Sequence, residues 1–185
     1  MIVRVSGGKI SWDGPPNTNG ADGYGVTSSA PCALGRSGVV PEADKREGDG
    51  ATPAGTYVFR SVLYQPEREA APVSGLPVSA IARDDGWCDD PAHPDTYNRP
   101  VKLPHAGSRE EMWREDGLYD IVLVIGHNDD PPVPGRGSAI FVHCALPAED
   151  GGLRTTAGCV ALPKADLRAL AAALKPGDVI EISGA

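Results

Sequence analysis

Tyr119-Asp120-Ile121-Val122-Leu123-Val124-Ile125 is the stretch that decides the fold class. After Asp120 it is continuously apolar and mostly β-branched. A run this short with no polar face suits a central strand covered on both sides. Working outward, Gly137 to Cys144 (Gly137-Ser138-Ala139-Ile140-Phe141-Val142-His143-Cys144) reads as the next strand. Thr56 to Tyr64, β-branched and aromatic, reads as an earlier one. Residues 2–5 and 9–12 form short strands around the turn Ser6-Gly7-Gly8, Tyr24 to Leu34 another, and Val179 to Ile182 the last. Asp13 to Gly23 and Arg36 to Pro53 are loops, the second turning at Gly48-Asp49-Gly50. Ala161 to Leu174 carries the one strong helical pattern. Pro163 stands near its first turn, and Leu167, Leu170, Ala171 and Leu174 form its apolar stripe. Ser108 followed by Glu111 has the form of a capping box, which predicts a short helix to about Arg114. The sum is a mostly β domain with one or two helices.

Composition agrees. With 185 residues the chain suits one domain, 1–185, and its 23 glycines and 18 prolines favour a loop-rich β architecture over a bundle. The net charge of −8, with no basic run, argues against nucleic acid as a partner. No apolar stretch of about twenty residues is present, so no transmembrane segment is expected. Met1 to Gly7 lacks the layout of a signal peptide, which leaves a cytoplasmic protein, a removed leader or another export route. Between Gln65 and Gly107 only Pro77 to Ile81 reads as a strand. A segment that long, residues 65–118 in all, is expected to be a lid or binding loop. Its Trp87 and Tyr97 either line a pocket or anchor the loop to the body.

Four cysteines, Cys32, Cys88, Cys144 and Cys159, lack CxxC spacing, so no metal site is expected, and two disulfides are an open alternative. Thr155-Thr156-Ala157-Gly158-Cys159-Val160 is the sharpest local feature. A cysteine after glycine on a tight turn suits a nucleophile, with the amides of Gly158 and Cys159 available to an oxyanion. The plainer reading is a buried cysteine that fills space. His143, a polar residue ending an apolar strand, supplies a base. Strand alternation puts Ala139, Phe141 and His143 on one face and Ile140, Val142 and Cys144 on the other. His143 and Cys144 therefore do not serve one site, and Cys144 is assigned to the core. A neutral imidazole near Cys159 would take the thiol proton to give a thiolate–imidazolium pair. In Gly126-His127-Asn128-Asp129-Asp130-Pro131-Pro132, Asp129 and Asp130 read as turn residues, while His127 and Asn128 are possible pocket residues.

Two motifs in order resemble the L,D-transpeptidase catalytic-domain (YkuD) family. One is Phe141-Val142-His143, a loop, and Thr156-Ala157-Gly158-Cys159-Val160. The other is Lys45-Arg46-Glu47-Gly48-Asp49-Gly50-Ala51-Thr52-Pro53-Ala54-Gly55-Thr56-Tyr57. The resemblance spans roughly residues 20–183 and is weakest between 65 and 118. It implies a small mixed β-sandwich with a capping helix. It also implies Cys159 as acylated nucleophile, His143 as general base, Gly158 in the oxyanion hole and Thr156 as the hydroxyl before it. The implied activity is cysteine-dependent transfer on peptidoglycan stem peptides through a thioester, with no cofactor, a cell-envelope or periplasmic location, and acylation by a carbapenem. Hydrolysis with water as acceptor, and a non-catalytic cell-wall module or a redox domain pairing Cys144 with Cys159, are the alternatives. Arg136 and Arg154 are the expected donors to substrate carboxylates. The chain departs from the family pattern at Ala157, where histidine is common, at Ala161, where Arg or Asn is frequent, and at Cys144, where Ser or Gly usually follows the base.

Overall fold

The computed structural model describes residues 1–16 and 25–184. Thirteen strands carry most of the regular structure: β1 Ile2–Ser6, β2 Lys9–Pro16, β3 Gly25–Pro31, β4 Val39–Pro41, β5 Thr52–Tyr64, β6 Val78–Ala80, β7 Asp85–Cys88, β8 Pro100–Lys102, β9 Arg109–Glu111, β10 Ile121–Ile125, β11 Phe141–Cys144, β12 Val160–Leu162 and β13 Val179–Ile182. One α-helix, α1, covers Lys164–Ala173. The fold is mainly β, as the sequence indicates.

The main sheet runs β12-β11-β10-β5-β13-β1-β2-β3. Its hinge is β5, a 13-residue strand whose first half pairs with β13 and whose second half pairs with β10. The register slips between Val124 and Ile125, where the strand passes from one pairing to the other. Both halves of the sheet face a single apolar core. Val3, Val5, Ile10 and Trp12 meet Ile121, Leu123, Val142, Val160 and Leu162 there, with Leu167, Leu170, Ala171 and Leu174 packed in from α1. This is the layered arrangement expected when each sheet has one face to bury.

All five residues of β10 are buried, but they serve two cores. Ile121, Leu123 and Ile125 face the large one, while Val122 and Val124 face a smaller cluster with Phe141, Cys159, Tyr119, Ile81 and Met112. The smaller cluster lies beside Trp87 and Trp113, whose segment carries a separate sheet in the order β8-β7-β9.

Several sequence expectations are corrected, among them the expected loop Arg36 to Pro53, which contains β4 and the start of β5. Residues 109–111 form β9 rather than a helix, because their backbone pairs with β7 (Gly86 opposite Glu111, Cys88 opposite Arg109). The Ser108 hydroxyl accordingly binds the Asp89 carboxylate at 2.5 Å instead of capping a turn. The region 65–107 holds β6, β7 and β8 in place of a single strand. The strand expected from Gly137 begins only at Phe141, since Gly137 (φ 91°) and Ala139 (φ 50°) take left-handed conformations. The last helix starts at Lys164, Val160 to Leu162 being strand β12 in parallel pairing with β11. Asp13 to Pro16 extend β2, and the rest of that expected loop, with Tyr24, lies outside the described residues.

Candidate active site

β11 and β12 lie side by side with Val142 opposite Val160 and His143 opposite Ala161. With a period of two, this register puts Phe141, His143, Ala161 and the preceding Cys159 on the same face, away from the large core. Cys144 points the other way, and its thiol lies 3.8 Å from the Ile121 carbonyl oxygen. The alternation read from the sequence therefore holds, and all four cysteines are free thiols.

Cys159 and His143 line one cavity of about 380 Å³, together with Lys45, Glu47, Asp89, Glu110, Arg114 and Arg154 among others. The Cys159 thiol donates to the Ala139 carbonyl at 3.2 Å and accepts from the Phe141 amide at 3.3 Å. The left-handed turn at Ala139 is what brings that carbonyl to the sulfur. His143 is fixed from two sides. Its Nδ1 donates to the Cys144 carbonyl at 2.8 Å, and the Tyr119 ring meets it edge-on at 5.5 Å. A carbonyl accepts only, so the proton sits on Nδ1 and Nε2 is the basic atom.

Burial decides the protonation states. It pushes the Cys159 thiol up to about 12 and holds His143 below its ordinary value. Burial thus favours the neutral thiol and the neutral imidazole over a thiolate–imidazolium pair before substrate arrives. Arg114 stacks over Tyr119 at 5.3 Å and is gripped by Glu110 at 2.8 Å and Asp116 at 2.6 Å. It buttresses the ring that holds His143.

The turn before Cys159 is locked by Thr156. Its hydroxyl donates to the Cys159 carbonyl at 2.7 Å and accepts the Gly158 amide at 3.1 Å. The Gly158 N–H is thus taken, leaving the Cys159 N–H as the amide of that pair not so engaged. Gly158 has φ 146°, and a Cβ there would lie 2.9 Å from the Ala51 carbonyl oxygen, so glycine is required.

The expected substrate contacts divide. Arg154 is exposed on the wall of the cysteine cavity. Trp87 does not line that cavity; it packs against the smaller cluster, edge-on to Phe141 at 5.0 Å, and its indole N–H donates to Asn98 at 2.8 Å. Tyr97 is wholly buried and donates to Glu47, so it is an anchor and touches no substrate. Arg136 and Asn128 line a different cavity. Lys45 and Glu47 belong to the site although the sequence reading assigned them no role. Lys45 is 2 % exposed and paired with Asp49 at 2.5 Å, and Glu47 accepts from Tyr97 and Ser138. Their signal was the Lys45 to Tyr57 motif itself.

The family model described as the L,D-transpeptidase catalytic domain (YkuD) matches residues 18–182. The chain belongs to that family. No curated protein matches the sequence. Among solved structures, Bd1075 of Bdellovibrio bacteriovorus is 18% identical with a TM-score of 0.48, over 98% of this chain and 47% of that one. L,D-transpeptidase 3 of Mycobacterium tuberculosis, in complex with a faropenem-derived adduct, is 17% identical with a TM-score of 0.45, over 98% of this chain and 59% of that one. L,D-transpeptidase 1 of the same organism is 14% identical with a TM-score of 0.41, over 100% of this chain and 61% of that one. This L,D-transpeptidase-family chain thus spans less than two thirds of the length of each.

Proposed function

We propose that the protein is a cysteine acyltransferase acting on peptidoglycan stem peptides, with Cys159 as nucleophile and His143 as general base. One observation carries the reading: a thiol and an imidazole with a bare Nε2 lie on one face of adjacent strands and line one cavity. They occupy the positions that match the family's motif.

Chemistry follows from the neutral pair. As the sulfur attacks the peptide carbonyl carbon, its proton passes to Nε2 of His143, so no free thiolate accumulates. The Cys159 N–H is the amide left to meet the carbonyl oxygen as it gains charge. Collapse breaks the C–N bond, His143 returns the proton to the departing amine, and a thioester remains. An amine acceptor, deprotonated by the same imidazole, then releases a cross-linked product, whereas water releases a trimmed peptide. Arg154, exposed at the rim, is the cation available to a substrate carboxylate. A peptidoglycan substrate requires action at the cell envelope.

Faropenem tests the acylation step. Wild type gains the mass of one adduct and Cys159→Ala gains none; labelling of Cys159→Ala to completion would overturn the proposal. Incubation with tetrapeptide muropeptides separates the two acceptors, dimers marking transfer and tripeptides alone marking hydrolysis.

A further inference from the structure

Most charged side chains that line the cysteine cavity are paired within the protein. Lys45 is bound to Asp49 at 2.5 Å, and Arg114 to Glu110 at 2.8 Å and Asp116 at 2.6 Å. Among the described residues Glu47, Asp89 and Arg154 line the same cavity without an ion-pair partner. Arg154 is an exposed cation at the rim. Two anions remain.

Glu47 is the one that the fold holds in place. Its amide donates to the Gly135 carbonyl at 3.0 Å, and its Oε2 accepts the hydroxyls of Tyr97 at 2.5 Å and Ser138 at 2.7 Å. Both hydroxyl residues are buried. Burial, with the neighbouring carboxylate, holds the Tyr97 phenol above its ordinary value, so it keeps its proton and donates. Two buried donors on one oxygen fix the carboxylate and leave Oε1 without a hydrogen bond among the described residues. Glu47 is half-buried. Among the described residues the sealed side-chain atoms without a partner are Gln65 Oε1 and His127 Nδ1, so Glu47 Oε1 keeps accessible surface. Asp89 is looser, its Oδ1 accepting the exposed Ser108 hydroxyl.

Position gives the fixed anion its meaning. Ser138 precedes Ala139, whose carbonyl accepts the Cys159 thiol at 3.2 Å, so the carboxylate is tied one residue from the sulfur's own contact. Anchoring Tyr97 needs no charge, since any carbonyl oxygen accepts a hydroxyl. An unpaired carboxylate beside the nucleophile calls for a cation from the substrate. One free oxygen is too few for a hard metal ion, which takes roughly six. Among the described residues no three His, Cys, Asp or Glu side chains are grouped to hold a metal. A single oxygen suits an ammonium N–H, at about 2.8 Å.

We propose that Glu47 is a specificity-determining residue that binds the acyl acceptor as an ammonium through Oε1. The inference rests on the acyl-transfer reading and adds what selects an amine over water. The held ammonium gives one proton to solvent water before it attacks. Its second passes through His143 to the sulfur as the C–N bond forms and the C–S bond breaks.

Partition of one acyl-enzyme between two acceptors tests it. The whole chain is loaded by tetrapeptide muropeptides at pH 7 in equal concentrations of glycinamide, mostly an ammonium there, and hydroxylamine, which is neutral. Mass spectrometry counts amide and hydroxamate, whose ratio does not depend on how fast the thioester forms. Glu47→Gln keeps an oxygen for Tyr97 and Ser138 but loses the charge, and the amide-to-hydroxamate ratio should fall by about tenfold or more. Ser138→Ala keeps the charge on a less fixed carboxylate and should lower the ratio about threefold. It carries the test should Glu47→Gln lose the native circular dichroism. An unchanged ratio in folded Glu47→Gln, or in Ser138→Ala where that variant carries the test, overturns the subsite and leaves acyl transfer standing. Wild type that forms hydroxamate but no amide does the same. Wild type that forms neither product overturns the acyl-transfer reading and the subsite with it.

Discussion

Cys159 and His143 sit in opposite electrostatic predicaments with one cause. Burial disfavours charge on both, raising the thiol to about 12 and lowering the imidazole. A rate law follows. Acylation by faropenem should rise with pH as His143 loses its proton, with a midpoint below the 6.5 of free histidine. It should then stay level from about pH 7 to 9, because both partners are already neutral. A mechanism drawing on free thiolate would instead climb about tenfold per pH unit across that range. A stopped-flow pH profile separates the two. At this scale the sequence was informative where side chains alternate: Phe141-Val142-His143-Cys144 assigns faces by parity alone. It pointed the wrong way for Arg136 and Asn128, which it set beside the substrate. They stand close to His143 in sequence, but the left-handed glycines Gly135 and Gly137 turn the chain there, and both residues face another cavity.

Elements differ in the same way. β10 announces itself because every one of its positions is apolar, as a strand covered on both faces must be. β7, Asp85-Gly86-Trp87-Cys88, and β9, Arg109-Glu110-Glu111, carry no such pattern; each exists because the other is there, more than twenty residues away. The Ser108 and Glu111 pair mimicked a helix start because local capping chemistry does not encode a distant partner strand. This small sheet is pinned to the body by Trp87 against Phe141, and by Asn98, which accepts the Trp87 indole N–H and donates to the carbonyls of His127 and Asn128. Trp87→Ala should cost about 2–4 kcal/mol, below the full value for a completely buried aromatic because the ring is partly exposed. Hydrogen exchange should show the amides of β7 and β9 released well before those of β10. Uniform release across all three strands would mean that the sheet is not a separate unit.

The molecule as a whole carries its acid sensitivity in two buried rings. His127 is pushed down to about 4 and His143 lies below its ordinary value, both by desolvation. The unfolded chain takes up their protons near pH 6.5 whereas the folded one does not, so unfolding is favoured as pH falls. Stability is fully present above about 6.5 and is lost on descent toward 4, on the order of 3 kcal/mol from His127 alone. Urea unfolding at pH 7, 5.5 and 4.5 measures the slope, and His127→Gln should flatten it. An unchanged slope in that variant would assign the loss to other groups. The carboxylates held low by hydrogen bonds and ion pairs, Asp49, Glu69 and Asp116, give up their share only in more acidic solution.

One detail of the left-handed turn at Ala139 reaches beyond catalysis. By offering its oxygen to the sulfur's hydrogen, that residue keeps the atom sheathed. Peroxide and small electrophiles, which seek out ionised sulfur, find little to attack. Covalent inhibitors for this cleft are accordingly best ranked by how well they dock before bonding, since a more aggressive warhead gains nothing until the guest itself has loosened that grip.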